Sequence, residues 1–91
     1  MVKMSVLVIK YKKEPDDLDY DINAIKHTTD DICNNLKEQY GIETGKFINC
    51  YGIGNIDLIC EDGIFCNVFE TIKNCGATFI HVDWKDFDWA A

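Results

Sequence analysis

The chain has 91 residues, of which 47% are hydrophobic and 27% are charged, and its nine basic residues are all lysine, against sixteen Asp and Glu. A net charge of −7 argues against direct binding to nucleic acid or an anionic membrane, because both interactions gain affinity from Lys and Arg that neutralise phosphates. The length and apolar content predict a single globular domain over residues 1–91.

The acidity has two interpretations. A functional charge implies a basic partner, whereas a low-GC genome would also produce the twelve isoleucines, the seven asparagines and the lack of arginine. The first apolar run, residues 6–9, is far shorter than a signal-peptide core or a membrane span. We therefore expect a cytoplasmic protein, here of a bacterial host cell.

Residues 5–13 are predicted to form a central strand, because the middle of the segment is apolar on both faces. Residues 15–40 then carry two sets of apolar side chains at helical spacing, and Pro15 is a helix start signal. Thr28 with Asp31 resembles a capping pair that would begin a new helix. One bent helix and a loop followed by a helix from about residue 29 both fit, and the second helix is the firmer prediction.

The second half of the chain predicts two strands, a helix and a final strand. Residues 46–51 and 55–61 form the strands of a hairpin, because Gly52, Gly54 and Asn55 between them are turn residues. Residues 64–75 carry an apolar stripe at helical spacing and are followed by Gly76. The last strand is expected over 77–84, with Ile80, Val82 and Trp84 on one face.

The resulting order, β-α-β-β-α-β, predicts a ferredoxin-like α+β sandwich, with an antiparallel sheet covered on one face by two helices. This fold serves many unrelated functions, so it does not by itself indicate one.

The cysteine, glycine and catalytic patterns give no sign of an enzyme. The five cysteines are odd in number and contain no CxxC pair, so we interpret them as buried reduced thiols rather than disulfides or metal ligands. The Gly52-x-Gly54 motif indicates turn chemistry, because no helix N-terminus follows it to hold a phosphate. Cys66 and His81 could serve as nucleophile and base only if the fold joined them. We expect no catalytic residues, no cofactor and no metal.

Carboxylates are concentrated in clusters, and these form the first part of the predicted partner-binding site. Carboxylates that are spaced like the phosphates of a nucleic acid could be bound by a protein whose surface normally binds nucleic acid. Passive solubility and a divalent-cation site are the alternatives, although the spacing of an EF-hand is absent. The clustered residues are Asp16, Asp17, Asp19, Asp21, Asp30, Asp31, Asp83, Asp86 and Asp88.

The aromatic residues near the C-terminus form the second part of the predicted site. Trp84, Phe87 and Trp89 alternate with aspartates, a pattern typical of interface hot spots. Residues 85–91 could form a tail that docks on a partner, or they could cover the protein's own sheet.

In overall character the chain resembles the small acidic proteins that phages and mobile elements encode against host defences, including anti-CRISPR inhibitors. The resemblance consists of short length, low-GC composition, strong negative charge and the lack of a catalytic set, and it involves no defining motif. It implies an inhibitor that occupies the basic surface of a nucleic-acid-binding enzyme such as a CRISPR effector. A homodimeric ligand-binding or regulatory module, and an immunity protein against a basic toxin, are the alternative hypotheses.

Overall fold

The structure, a computed structural model, describes residues 3–13 and 22–86. Its elements follow the predicted order β-α-β-β-α-β, and a short 3-10 turn, Asp62–Ile64, precedes the second helix. The α+β class and the order of the elements are therefore confirmed. The strands and helices are β1 (Met4–Lys13), α1 (Ile22–Tyr40), β2 (Thr44–Ile48), β3 (Gly54–Glu61), α2 (Phe65–Asn74) and β4 (Ala77–Asp86).

The four strands form one antiparallel sheet in the order β2-β3-β1-β4. Leu7, in the middle of β1, lies opposite Leu58 on one side and Trp84 on the other. The first predicted strand is therefore central, as its apolar character on both faces indicated. Strands β2 and β4 form the two edges of the sheet.

One face of the sheet carries the core. In β1 and β3 every second residue is buried, because alternate side chains point to opposite faces of a strand. These side chains pack in one cluster with apolar residues of both helices, so both helices cover the same face. The strands contribute Leu7, Ile9, Tyr11, Ile56, Leu58 and Cys60, and the helices contribute Ile25, Ile32, Leu36, Val68 and Ile72.

Helix α1 begins at Ile22 and continues to Tyr40, so the helix expected after about residue 29 is confirmed, but of the two alternatives a loop before it is excluded for residues 22–28. Thr28 and Thr29 are buried inside the continuous helix. The hydroxyl of Thr29 donates a hydrogen bond to the backbone carbonyl of Ile25 at 2.8 Å, which satisfies it without ending the helix. The capping interpretation of Thr28 and Asp31 therefore does not hold.

The β2–β3 hairpin is wider than predicted, because β2 ends at Ile48 instead of residue 51. Asn49 closes the loop: its side-chain oxygen accepts hydrogen bonds from the amides of Tyr51 and Ile53, at 2.9 and 3.0 Å. Gly54 belongs to β3 rather than to the turn. Asparagine at the start of the loop, not the glycine pair alone, decides its shape.

Strand β4 contains an irregularity that the sequence did not predict. Its register with β1 shifts beside Lys10 and Tyr11, so that Phe79 lies opposite Tyr11 while His81 lies opposite Lys10. Val82 and Trp84 then share the helix-covered face of the sheet with their β1 partners, whereas Ile80 is the additional residue of the bulge. The expected single face of Ile80, Val82 and Trp84 is therefore interrupted.

Helix α2 confirms the predicted apolar stripe, since Val68 and Ile72 are buried and Phe65 and Phe69 pack against the core. Gly76 follows the helix with φ +93°, a left-handed conformation that favours glycine. Among the described residues, neither helix combines the length and the apolar character needed to cross a membrane.

Candidate partner-binding surface

The structure describes five of the twelve residues that the sequence predicts for partner binding. Asp30 and Asp31 lie on α1, and Asp83, Trp84 and Asp86 lie on β4. The remaining seven fall outside the described residues; they are Asp16, Asp17, Asp19, Asp21, Phe87, Asp88 and Trp89.

Asp30 and Asp31 each face a basic side chain of the protein itself. Nζ of Lys46 on β2 donates a hydrogen bond to Asp30 Oδ1 at 2.8 Å, and this bond lowers the pKa of the Asp30 carboxyl. The same contact raises the pKa of Lys46. Asp31 lies 3.5 Å from Nε2 of His27, one turn earlier on α1. Both carboxylates thus have a basic neighbour within the protein, and that of Asp30 lies on β2.

Asp83 and Asp86 also have neighbours with which they can pair. Oδ1 of Asp83 lies 2.9 Å from Nε2 of His81, and Oδ1 of Asp86 lies 3.3 Å from Nζ of Lys3. Strand β4 is the edge of the sheet opposite to β2, where Lys46 holds Asp30. Asp30 and the two β4 aspartates therefore lie toward opposite edges of the sheet and do not form one acidic face.

The net charge of the chain is concentrated outside its described part. All nine lysines and ten of the sixteen carboxylates belong to residues 3–13 and 22–86, which together carry a net charge of −1. The other six carboxylates are Asp88 and the five acids of residues 14–21, a segment without any basic residue. Most of the −7 therefore comes from the connection between β1 and α1.

Trp84 is half exposed, with 53% of its surface accessible. Its ring meets the ring of Phe65 on α2 edge-on, with centroids 6.5 Å apart and an interplanar angle of 84°. One side of the indole thus covers the protein's own helix, and the rest faces solvent. This arrangement suits an aromatic anchor that is held in place before a partner binds.

The sheet face away from the helices carries exposed apolar side chains from three neighbouring strands. Phe47 on β2 is 65% accessible, Ile59 on β3 is 41% and Val8 on β1 is 36%. The partner-site prediction did not include these residues. The sequence signal that could have indicated this surface is the apolar character of both faces of β1. That feature was used only to place the strand in the centre of the sheet.

The five cysteines are free thiols in different environments. Cys60 is buried, and burial raises its pKa to about 11. Burial likewise raises the pKa of Cys75, which is half buried. Cys50 and Cys66 are exposed, so the interpretation of all five as buried thiols is wrong for these two.

Residues 3–13 and 22–86 contain neither a metal-ligand cluster nor an unsatisfied buried polar side chain. No group of three His, Cys, Asp or Glu side chains could hold a metal ion. Every buried side-chain nitrogen or oxygen in this part of the chain has a hydrogen-bond partner. The distinctive features of the described surface are thus its edges, its apolar face and its grooves.

No known protein family, curated protein or solved structure matches this chain.

Proposed function

We propose that the protein is a small binding protein that inhibits a nucleic-acid-handling enzyme, such as a CRISPR effector, by occupying its basic surface. Residues 14–21 are the principal contact in this proposal. The observation that supports it is the concentration of five carboxylates, with no basic residue among them, in one connection of a chain whose described part is almost neutral.

This distribution favours a specific use of the charge over general solubility. Charge that serves only solubility need not be localised, and ten of the sixteen acids are indeed balanced by nine lysines in the described residues. Glu14, Asp16, Asp17, Asp19 and Asp21, by contrast, fall within eight consecutive residues. A segment of this kind can follow a groove that normally holds a phosphate backbone.

The elements on both sides of the segment are firmly built into the fold. Strand β1 ends at Lys13 and is paired along its length with β3 and β4. Helix α1 begins at Ile22 and is anchored by Ile25, Ile32 and Leu36 in the core. Attachment at both ends limits the conformational entropy that binding would remove.

The half-exposed Trp84 supplies an apolar contact in the same proposal, and Phe87 and Trp89 extend it beyond the described residues. Charge attraction would accelerate association, and the aromatic contacts would slow dissociation. The partner needs a lysine- and arginine-lined channel with an apolar pocket nearby. An immunity protein that neutralises a basic toxin would use the same contacts.

We further assign the fold to the ferredoxin-like class. The strand order β4-β1-β3-β2 and the position of both helices on one face support this assignment.

The test is affinity capture from the lysate of a low-GC bacterial host with three forms of the tagged protein. These are the wild type, a variant with Asp17→Lys and Asp21→Lys, and a control with Glu38→Lys and Glu70→Lys. Both variants raise the net charge by four, but the control changes exposed positions on α1 and α2. We expect a nucleic-acid enzyme to be retained by the wild type and the control, displaced by excess polynucleotide, and lost with the segment variant.

Equal retention by all three forms would contradict the role of residues 14–21. Retention of no nucleic-acid enzyme at low salt would contradict the function itself. If the segment variant fails to fold, which circular dichroism would reveal, Asp17→Asn with Asp21→Asn provides the same comparison with a smaller change.

A homodimeric ligand-binding or regulatory module is the second candidate. The exposed apolar side chains of Phe47, Ile59 and Val8 on the sheet face opposite the helices favour it. It predicts a homodimer in sedimentation equilibrium that Phe47→Glu dissociates. A monomer at high protein concentration would exclude it.

A further inference from the structure

The free end of β3 borders a groove of about 640 Å³ at the sheet edge. Strand β2 pairs with β3 only from Ile48 opposite Gly54 to Thr44 opposite Leu58. Among the described residues, no strand pairs with 59–61 on that side. A strand edge that lacks a neighbour presents backbone amides and carbonyls that can pair with an added strand.

The two sides of the groove differ in chemistry. On the face away from the helices, Asp57 and Glu61 lie on either side of Ile59, at alternate positions of β3. On the helix side the wall is apolar and includes Ile42 and Ile64. Because side chains alternate along a strand, an added strand would place every second residue toward the carboxylates and the others toward the apolar wall.

The charges around the groove identify the occupant. Three carboxylates line it, those of Glu43, Asp57 and Glu61, and no lysine does. Glu43 pairs with Lys37 at 3.3 Å, whereas Asp57 and Glu61 have no ionic partner within the described part of the chain. No three of the described acidic, Cys or His side chains converge closely enough for a metal ion. A second copy docked in the same groove would bring like charges together.

We propose that this groove binds an extended, basic segment of another protein, in which lysine or arginine alternates with apolar residues. The segment adds to the free edge of β3 at residues 59–61, and its basic side chains face Asp57 and Glu61. The site lies where β1 begins, at Met4, about 30 Å along that strand from Lys13, the residue that precedes the acidic segment in sequence. The inference is therefore independent of the proposed function.

Gly45 contributes to the shape of this site. A Cβ atom at this position would lie 2.0 Å from Oδ1 of Asp57, so the carboxylate of Asp57 lies directly over the backbone of β2. Glycine thereby leaves room for this carboxylate close to Thr44, where the pairing of β2 with β3 stops and the free edge of β3 begins.

The test is titration of the wild-type protein with a peptide, acetyl-Lys-Val-Lys-Val-Lys-amide, at 150 mM salt, followed by amide NMR spectra. We expect saturable shifts at Ile59, Cys60 and Glu61. A Glu-Val-Glu-Val-Glu peptide tests the charge, and the lysine peptide N-methylated at every residue tests the backbone pairing. Neither control should bind measurably.

Two variants locate the charge contacts. Asp57→Asn with Glu61→Gln should weaken binding of the lysine peptide roughly fivefold, because two exposed ion pairs are lost. Glu38→Gln with Glu70→Gln, which removes the same charge from the helices, should leave the affinity unchanged. The Asp17→Lys, Asp21→Lys variant should also bind normally, which separates this proposal from the function proposed above.

Four results would overturn the inference. They are the absence of shifts at 59–61, equal binding of the N-methylated peptide, wild-type affinity of the Asp57→Asn, Glu61→Gln variant, and slow hydrogen exchange of the Ile59 and Glu61 amides in the free protein. The last result would mean that another part of this chain, or a second copy, already occupies the edge.

Discussion

The buried hydroxyl of Tyr11 on β1 donates a hydrogen bond to Oγ1 of Thr29 on α1. The direction follows from Thr29, whose single hydroxyl proton is already donated to the carbonyl of Ile25. This bond connects the strand that precedes residues 14–21 to the helix that follows them. It therefore helps to fix the positions of the two elements that flank the acidic segment in sequence.

We expect the two partners of this bond to differ in their contribution to stability. Tyr11→Phe should lower the free energy of unfolding by about 1 kcal/mol, because the remaining Thr29 hydroxyl still has the Ile25 carbonyl. Thr29→Val should cost more, about 1–3 kcal/mol, because the Tyr11 hydroxyl is then buried without a partner. Urea denaturation of both single variants and the double variant measures this. If the two hydroxyls are paired, the double variant loses less stability than the two single losses added together. A loss equal to or larger than that sum would contradict the pairing.

Stability should fall at alkaline pH because of Tyr11. Burial, the dominant cause, raises its pKa from 10.0 to about 12. Between these values the unfolded chain loses the proton while the folded protein keeps it, so the free energy of unfolding decreases as pH rises. The Tyr11 contribution is about 2 kcal/mol between pH 10 and pH 12.

The comparison of wild type and Tyr11→Phe by urea denaturation at both pH values isolates this contribution. Cys60, whose pKa is about 11, adds a loss of the same sign in both proteins and cancels in the difference. Equal losses in the two proteins would show that Tyr11 does not titrate in this way.

Gly54 should be intolerant of a side chain. It lies opposite Tyr11 in the β1–β3 pairing, and an added Cβ would lie 2.4 Å from Cζ of the buried tyrosine ring. We expect Gly54→Ala to destabilise the protein by about 1–3 kcal/mol, since the ring has little room to move in the packed core. Thermal and urea denaturation give the value.

Gly63→Ala is the matched control, because no atom lies within 4 Å of a Cβ at that position. Its effect should stay within about 0.5 kcal/mol. An equal loss of stability in the two alanine variants would assign the effect of Gly54→Ala to the backbone rather than to the tyrosine ring.

The pair of Lys46 and Asp30 should be visible in the titration of the carboxylate. Lys46→Met is expected to raise the pKa of Asp30 toward its ordinary value, because the hydrogen bond from Lys46 is the largest cause of its depression. Carbon-detected NMR titration of the aspartate carboxyls measures the change. Lys37→Met, which removes the partner of Glu43 instead, should leave Asp30 unaffected.

Much of the fold could be predicted from local pattern. Alternation in β1 and β3 and the helical stripe of α2 each require only neighbouring residues, and the order of the elements then restricts the possible arrangements. The bounds of these three elements lie within one residue of the predicted ones. The acidity and its main clusters are likewise properties of the sequence.

The tertiary structure decided the features that depend on distant partners. A threonine hydroxyl can begin a helix or bond back within one, and the buried contact of Thr29 with Tyr11, eighteen residues away, stabilises the second arrangement. The bulge in β4 and the short pairing of β2 depend on register, which sequence periodicity alone does not specify. For the same reason the sequence indicated acidic residues, but only the folded chain showed that most of the described ones have partners. It also showed that no described strand pairs with the end of β3 on its β2 side.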